Sequence, residues 1–224
     1  MPSKKLMGSW AFFDFCLLTA GVVTLALSIV WRRPNLLMNM VLSQSDLTAG
    51  LILAITLLVS WIISVGAIVQ PNHVLGGLYL LNWVLIIDGI FILVIGTFVW
   101  FYTLQERANY HEVFSTLSTQ TRIAIQDQLK CCGYFNSSDL SEVGGTFCAN
   151  QTFIDVTNNA TENFCVTPIT AFADMTLNNI FSTIYGYMAI VILLFLATMC
   201  IIYKRKEGER FRRIDEKRGG RGFV

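Results

Sequence analysis

Six cysteines are the residues of this chain best placed to do chemistry, and they are of two kinds. Cys131, Cys132, Cys148 and Cys165 fall within one acidic stretch, whereas Cys16 and Cys200 sit in apolar runs. Four thiols close together in sequence either oxidise to two disulfides or hold zinc. Adjacent cysteines do not match the usual zinc spacing, and a bond between neighbours Cys131 and Cys132 would be badly strained. Spacing leaves two pairings open. In both, the vicinal cysteines reach forward to Cys148 and Cys165, each closure contributing about 3 kcal/mol in the chain-entropy model. Three sequons, Asn136-Ser137-Ser138, Asn150-Gln151-Thr152 and Asn159-Ala160-Thr161, lie in the same stretch and offer N-glycan acceptors. Asp14, Asn82 and Asp88 interrupt apolar runs, where a polar group needs a partner. No nucleophile–base pair, phosphate loop or metal cluster is present, so the sequence points away from an enzyme and implies no metal or cofactor.

The elements that must position these residues are built for lipid. Of 224 residues 54% are hydrophobic and 14% charged, with a mean hydropathy of +0.57, more apolar than a soluble domain tolerates. A hydrocarbon core about 30 Å thick takes roughly 20 apolar residues in a helix. Four such runs occur, 10–31, 48–69, 76–102 and 180–203, separating an N-terminus 1–9, a short loop 32–47, a connection 70–75, a large loop 103–179 and a tail 204–224. The expected fold class is an all-α integral membrane protein: a four-transmembrane-helix bundle with a disulfide-stapled, mostly helical large extracellular loop. A signal peptide is the competing reading of the first run. That run is too long for the type, contains Asp14, lacks a small-x-small cleavage site and ends in Arg32-Arg33-Pro34.

Charge sets the expected orientation. Nine of the 16 Lys and Arg residues follow Tyr203, and placing both termini in the cytoplasm gives eleven positive charges inside against five outside. All three sequons then fall on the glycosylated side. His73 is the one histidine expected inside and His111 the one outside, so the pair cannot share a metal.

Within the large loop, apolar residues at Tyr110, Val113, Phe114, Leu117, Ala124, Ile125 and Leu129 predict a helix that continues out of the third span and closes at Cys131-Cys132-Gly133, where glycine takes a left-handed conformation. From Tyr134 to Cys165 the composition predicts irregular structure held by cross-links.

Four spans, a short first loop, a long second one, and Cys131-Cys132-Gly133 preceded by Gln126, Leu129 and Lys130 and followed by two more cysteines together resemble the tetraspanin family. The resemblance covers nearly the whole chain. It implies pairing of Cys131 with Cys165 and of Cys132 with Cys148. Departures from the family pattern are the absence of a proline before Cys148, the cysteine-free connection around Gln70 to His73, and Asp14 where asparagine is frequent. The short chain and basic tail are most similar to the fungal branch required for appressorium-mediated penetration of plants, which implies polarised outgrowth as the biology and a membrane NADPH oxidase among the partners.

The expected function is a membrane scaffold that binds other integral membrane proteins laterally and gathers them into microdomains. The small residues Gly21, Gly50, Ala54, Gly66, Gly89 and Gly96 allow close helix contact, with packing as their first expected role and lateral self-association as the second. Cys200, four residues before Lys204, and the deeper Cys16 are the candidate palmitoylation sites. The basic tail attracts anionic lipid, and without interleaved aromatics it is not a nucleic-acid binder. Glycans would shield the variable segment, leaving the helix from Thr103 to Lys130 as partner surface through Phe114 and Leu117. The rivals are a channel or transporter subunit, for which only Asp14, Asn82 and Asp88 offer a path, and a four-span adhesion protein, which would carry cysteines between Arg32 and Leu47, where none occur. For Asp88 and Asn82 the packing reading expects hydrogen bonds across the bundle. The chain is expected at the plasma membrane or on endomembrane vesicles.

Overall fold

A computed structural model describes residues 4–71, 74–161 and 163–217, with the backbone alone over 157–161. All its regular elements among the described residues are helices: α1 Lys4–Val30, α2 Leu36–Val41, α3 Gln44–Val69, α4 Gly76–Leu104, α5 Glu106–Thr116, α6 Thr119–Leu129, α7 Gln151–Thr161 and α8 Val166–Lys217. Of these, α1, α3, α4 and α8 are long and apolar enough to cross a membrane. Three of the four expected spans each lie inside one of them, and the first does so except for Trp31, which follows the end of α1 at Val30. The helices overrun the expected boundaries, since backbone hydrogen bonding continues wherever nothing breaks it. Accordingly α8 runs for 52 residues, taking in the end of the predicted large loop and the tail as far as Lys217.

Two compact units divide the chain: 1–28, 49–95 and 184–224 form one, and 29–48 with 96–183 the other. In the first, parts of the four long helices pack as a bundle. A Cβ added to Gly21 would lie 2.9 Å from Leu58 side-chain atoms, so glycine there lets α1 close on α3, whereas Gly66 faces open space. Trp10 Nε1 donates to Thr198 Oγ1 at 3.3 Å, tying α1 to α8.

The second unit is a small helical domain. The 32–47 segment, expected as a loop, contains α2, capped by Asn35, whose side chain accepts from the Met38 amide. Apolar Leu37, Met40 and Val41 are buried, and α2 packs on α5 and α6. At the start of α3, Ser43 and Asp46 cap each other: the Ser43 amide donates to Asp46 Oδ2 at 3.0 Å and the Asp46 amide to Ser43 Oγ at 3.2 Å.

The single helix predicted from Thr103 to Lys130 is instead three pieces. One break falls at Gln105; the other falls at Leu117 and Ser118, both extended, with Ser118 capping α6 through the Thr121 amide. The helical period holds across the break because both pieces lay their apolar side on one core. That core joins Tyr110, Phe114, Ile125, Cys131, Tyr134, Cys165, Ile169 and Ala173 with Leu37, Met40 and Val41. Lys130, at φ 53°, closes α6; Gly133 was the expected closing residue. The Tyr134–Cys165 segment also departs from expectation, because it contains α7, held by Ile154 against Cys132, Cys148 and Phe147.

Candidate functional site

The cysteines organise the second unit. Cys131 bonds Cys165 and Cys132 bonds Cys148, closing 34 and 16 residues of sequence separation. All four are at most 1% exposed, so each bridge is part of a hydrophobic core as well as a cross-link. In the chain-entropy model such closures contribute about 4 and about 3 kcal/mol.

Between the bridges the backbone turns sharply at Gly133, φ 73°, where a Cβ would stand 2.1 Å from the Asn136 carbonyl oxygen. Any side chain is excluded there. Tyr134 next enters the core, its amide donating to the Asp139 carbonyl at 2.7 Å and its hydroxyl to the Arg107 carbonyl at 3.0 Å. Gln126 secures the turn: with its amide oriented to suit both neighbours, it donates to the Glu142 carbonyl and accepts from the Gly133 amide, each at 3.1 Å. Asp127 accepts from the Thr146 and Phe147 amides at 3.0 and 2.8 Å, and these backbone donors hold its carboxyl below the usual range. His111, half-exposed, lies 3.2 Å from Asp139 and stacks on Phe135.

Phe114 is not available as a partner surface, and Leu117 is only partly so. Phe114 is 0% exposed, and Leu117 packs against the same core. An apolar helical stripe is more often core than contact, and α2 supplies the element that covers it. From α5 onwards the exposed large apolar side chains of this unit are Phe135, Val143, Phe153, Val156 and Met175.

Two sequon asparagines have described side chains. Asn136 is exposed and accepts from the Ser138 amide and hydroxyl at 3.0 and 2.8 Å. Asn150, also exposed, caps α7 by accepting from the Phe153 amide at 2.7 Å. In both the carbonyl oxygen makes the contact, leaving the amide nitrogen, where a glycan attaches, out of it. The side chain of Asn159 lies outside the described residues, as does His73.

Glu106, in the first turn of α5, is the titratable residue that sequence reading missed. Its Oε2 is buried without a hydrogen-bond donor. Burial first, and then the neighbouring carboxyl of Asp174, push it up to about 7 against the opposing pull of Arg107. Below it Tyr110 is fully buried with an unpartnered hydroxyl, which burial also pushes upward. The sequence separation of Glu106 and Asp174 leaves no local signal of their meeting.

In the bundle unit Asp14, Asn82 and Asp88 are all buried. Asp88 Oδ2 accepts from the Ser60 hydroxyl, and Asp14 lies beside Ser64 and Trp61 of α3. Asn82 meets Met199: its Nδ2 donates to Sδ at 2.9 Å. The expected cross-bundle bonds of Asp88 and Asn82 therefore exist, but to α3 and α8 respectively. Asp14 Oδ1, Ser64 Oγ and Asn82 Oδ1 have no partner. Cys200 is an exposed thiol and Cys16 a partly buried one. No family model, curated protein or solved structure matches the chain.

Proposed function

We propose that this chain is a tetraspanin-like membrane scaffold, with four spans, both termini cytoplasmic and the disulfide-bonded unit outside. The observation that carries the reading is the pair of nested bridges, Cys131–Cys165 and Cys132–Cys148. They lie within a small domain built from two of the three inter-span segments of a chain with four membrane-length helices. Such a domain pairs a cross-linked apolar core with exposed apolar side chains that can serve as binding surface. Partner capture would fall to the exposed residues Phe135, Val143, Phe153 and Val156 and to the lipid-facing sides of the helices. Glycans at Asn136 and Asn150 would border that surface and limit what reaches it. Other integral membrane proteins are the partner class, with a membrane NADPH oxidase the one the fungal resemblance implies. Acylation of Cys200, and of Cys16, would add lipid preference.

Affinity capture tests the proposal. Full-length protein in mild detergent is compared with a Cys131→Ser, Cys132→Ser variant at matched surface level. A defined set of membrane proteins held by the wild type and lost by the variant is the expected result. Identical captures, or no specific capture by the wild type, would remove the scaffold reading. Ion flux in reconstituted vesicles would then be measured, because the buried acids Asp14 and Asp88 are what a channel reading would draw on.

A further inference from the structure

At the end of the bundle unit where α3 stops and α4 starts, a cation is buried with no anion paired to it among the described residues. Arg205 of α8 is 6% exposed. Its Nη2 donates to the Ile68 carbonyl at 3.4 Å, one of the last carbonyls of α3, which an α-helix leaves without an internal donor. Its Nε and Nη1 have no hydrogen-bond partner. Arginine does not shed its proton in proteins, so a desolvated guanidinium with two idle nitrogens is costly until an acceptor meets it.

Among the described residues the surroundings add positive potential and no free countercharge. Lys206, the next residue, places Nζ 5.5 Å from the ring centroid of Tyr79 in the first turn of α4. That turn opens with Gly76, which has no atom near the position of a Cβ, and Gly77, whose amide is bound by Gln70 Oε1 at 3.2 Å. A helix start carries partial positive charge. The adjacent carboxylate, Glu207, is engaged by Lys204 at 2.7 Å. Among the described residues neither Arg205 nor Lys206 forms an ion pair.

We propose that Arg205, flanked by Lys206 and the first turn of α4, binds the phosphate group of an anionic phospholipid. Nε and Nη1 lie on different edges of the guanidinium plane, and each edge also carries a proton of Nη2, so a phosphate can take either edge with two parallel hydrogen bonds where a single carbonyl makes one. Arg205 stands two residues beyond Tyr203, about 3 Å further along the helix, which is headgroup depth if the apolar run of α8 spans the hydrocarbon. This step rests on the membrane-spanning part of the reading above, and on none of its claims about protein partners.

Native mass spectrometry of the full-length protein, purified in mild detergent and titrated with phosphatidylcholine, phosphatidylserine or phosphatidylinositol 4-phosphate, tests it. The wild type should retain one anionic phospholipid in preference to phosphatidylcholine. Arg205→Gln should weaken that retention at least about tenfold, the loss of one charge-assisted hydrogen bond. Lys204→Gln removes the same charge from a residue already paired with Glu207 and should leave retention unchanged. Arg205→Lys keeps the charge without the planar fork, so intermediate retention is expected, and this variant serves if Arg205→Gln fails to fold. Displacement by inorganic phosphate at equal concentration would show that the site takes the free anion, and would overturn the lipid assignment. Equal losses in Arg205→Gln and Lys204→Gln would overturn the site in favour of diffuse tail charge, as would a wild type with no anionic preference. Failure of the wild type to float with lipid vesicles would instead count against the membrane-spanning reading itself.

Discussion

Replacing Glu106 by glutamine should remove a pH-dependent weakness from the disulfide-bonded unit. The folded carboxyl sits at about 7 against an ordinary 4.5, so the folded state holds its proton more tightly than the unfolded chain. Stability attributable to this group is therefore full below about pH 4.5, falls as pH rises towards 7, and above 7 is a constant penalty. The gap, at 1.36 kcal/mol per pKa unit, sets a ceiling of about 3 kcal/mol. Glu106 is partly open to water, and solvent screening reduces the expected effect to about 1–2 kcal/mol. The charged groups it faces are Asp174 on α8 and Arg107 on its own helix; Tyr110 below it is in turn influenced by Asp46 of α3 and Tyr134. The assay is hydrogen exchange on full-length protein in lipid nanodiscs, read on peptides covering 106–116 and 169–177 after correction for intrinsic rates. Wild-type protection should drop about tenfold from pH 5 to pH 8, a factor corresponding to about 1.4 kcal/mol, while Glu106→Gln should stay flat. Parallel pH slopes in the two proteins, or wild-type protection that rises with pH, would refute the reasoning.

Phe114→Ala should destabilise the disulfide-bonded unit by about 3–5 kcal/mol, the cost of emptying a buried aromatic site, whereas Val156→Ala, at a residue 63% exposed, should change it by less than about 0.5 kcal/mol; limited proteolysis across a temperature series distinguishes them. Gly133→Ala should prevent correct bridging, because the added Cβ would overlap the Asn136 carbonyl; non-reducing peptide mapping would show loss of the Cys131–Cys165 and Cys132–Cys148 peptides. Asp88→Asn keeps a partner for the Ser60 hydroxyl and should preserve expression and partner capture, while Asp88→Leu leaves that hydroxyl without its side-chain acceptor and should lower the surface level. A vesicle conductance abolished by Asp88→Asn would contradict a packing role.

The exposed apolar residues that replace Phe114 and Leu117 as candidate contacts lie beside glycan acceptors: Phe135 adjoins Asn136, and Phe153 is one helical turn from Asn150. Any partner of the disulfide-bonded unit must therefore approach a surface partly framed by sugar if those sequons are occupied. Asn150→Asp would retain the cap on α7 while removing the acceptor nitrogen, separating the effect of the glycan from that of the helix end.

What the sequence by itself determined were features carried by continuous runs or by residue type. Twenty apolar residues in a row must satisfy their backbone within a helix, so four long helices were legible from composition and length. The cysteine count and spacing reduced the bridges to two pairings. The tertiary structure decided everything that depends on residues distant in sequence. It placed Leu37, Met40 and Val41 of the short loop over Tyr110 and Phe114, turning an apparent contact stripe into core, because an amphipathic face shows only that something covers it. Ser118 ended one helix and began another, since a capping side chain interrupts the backbone without disturbing the apolar period. Glu106 met Asp174, and Arg205 turned inward to Ile68. Burial, which sets the energetic weight of a charge, is a property of the surroundings and leaves no mark on the residue's own position in the chain.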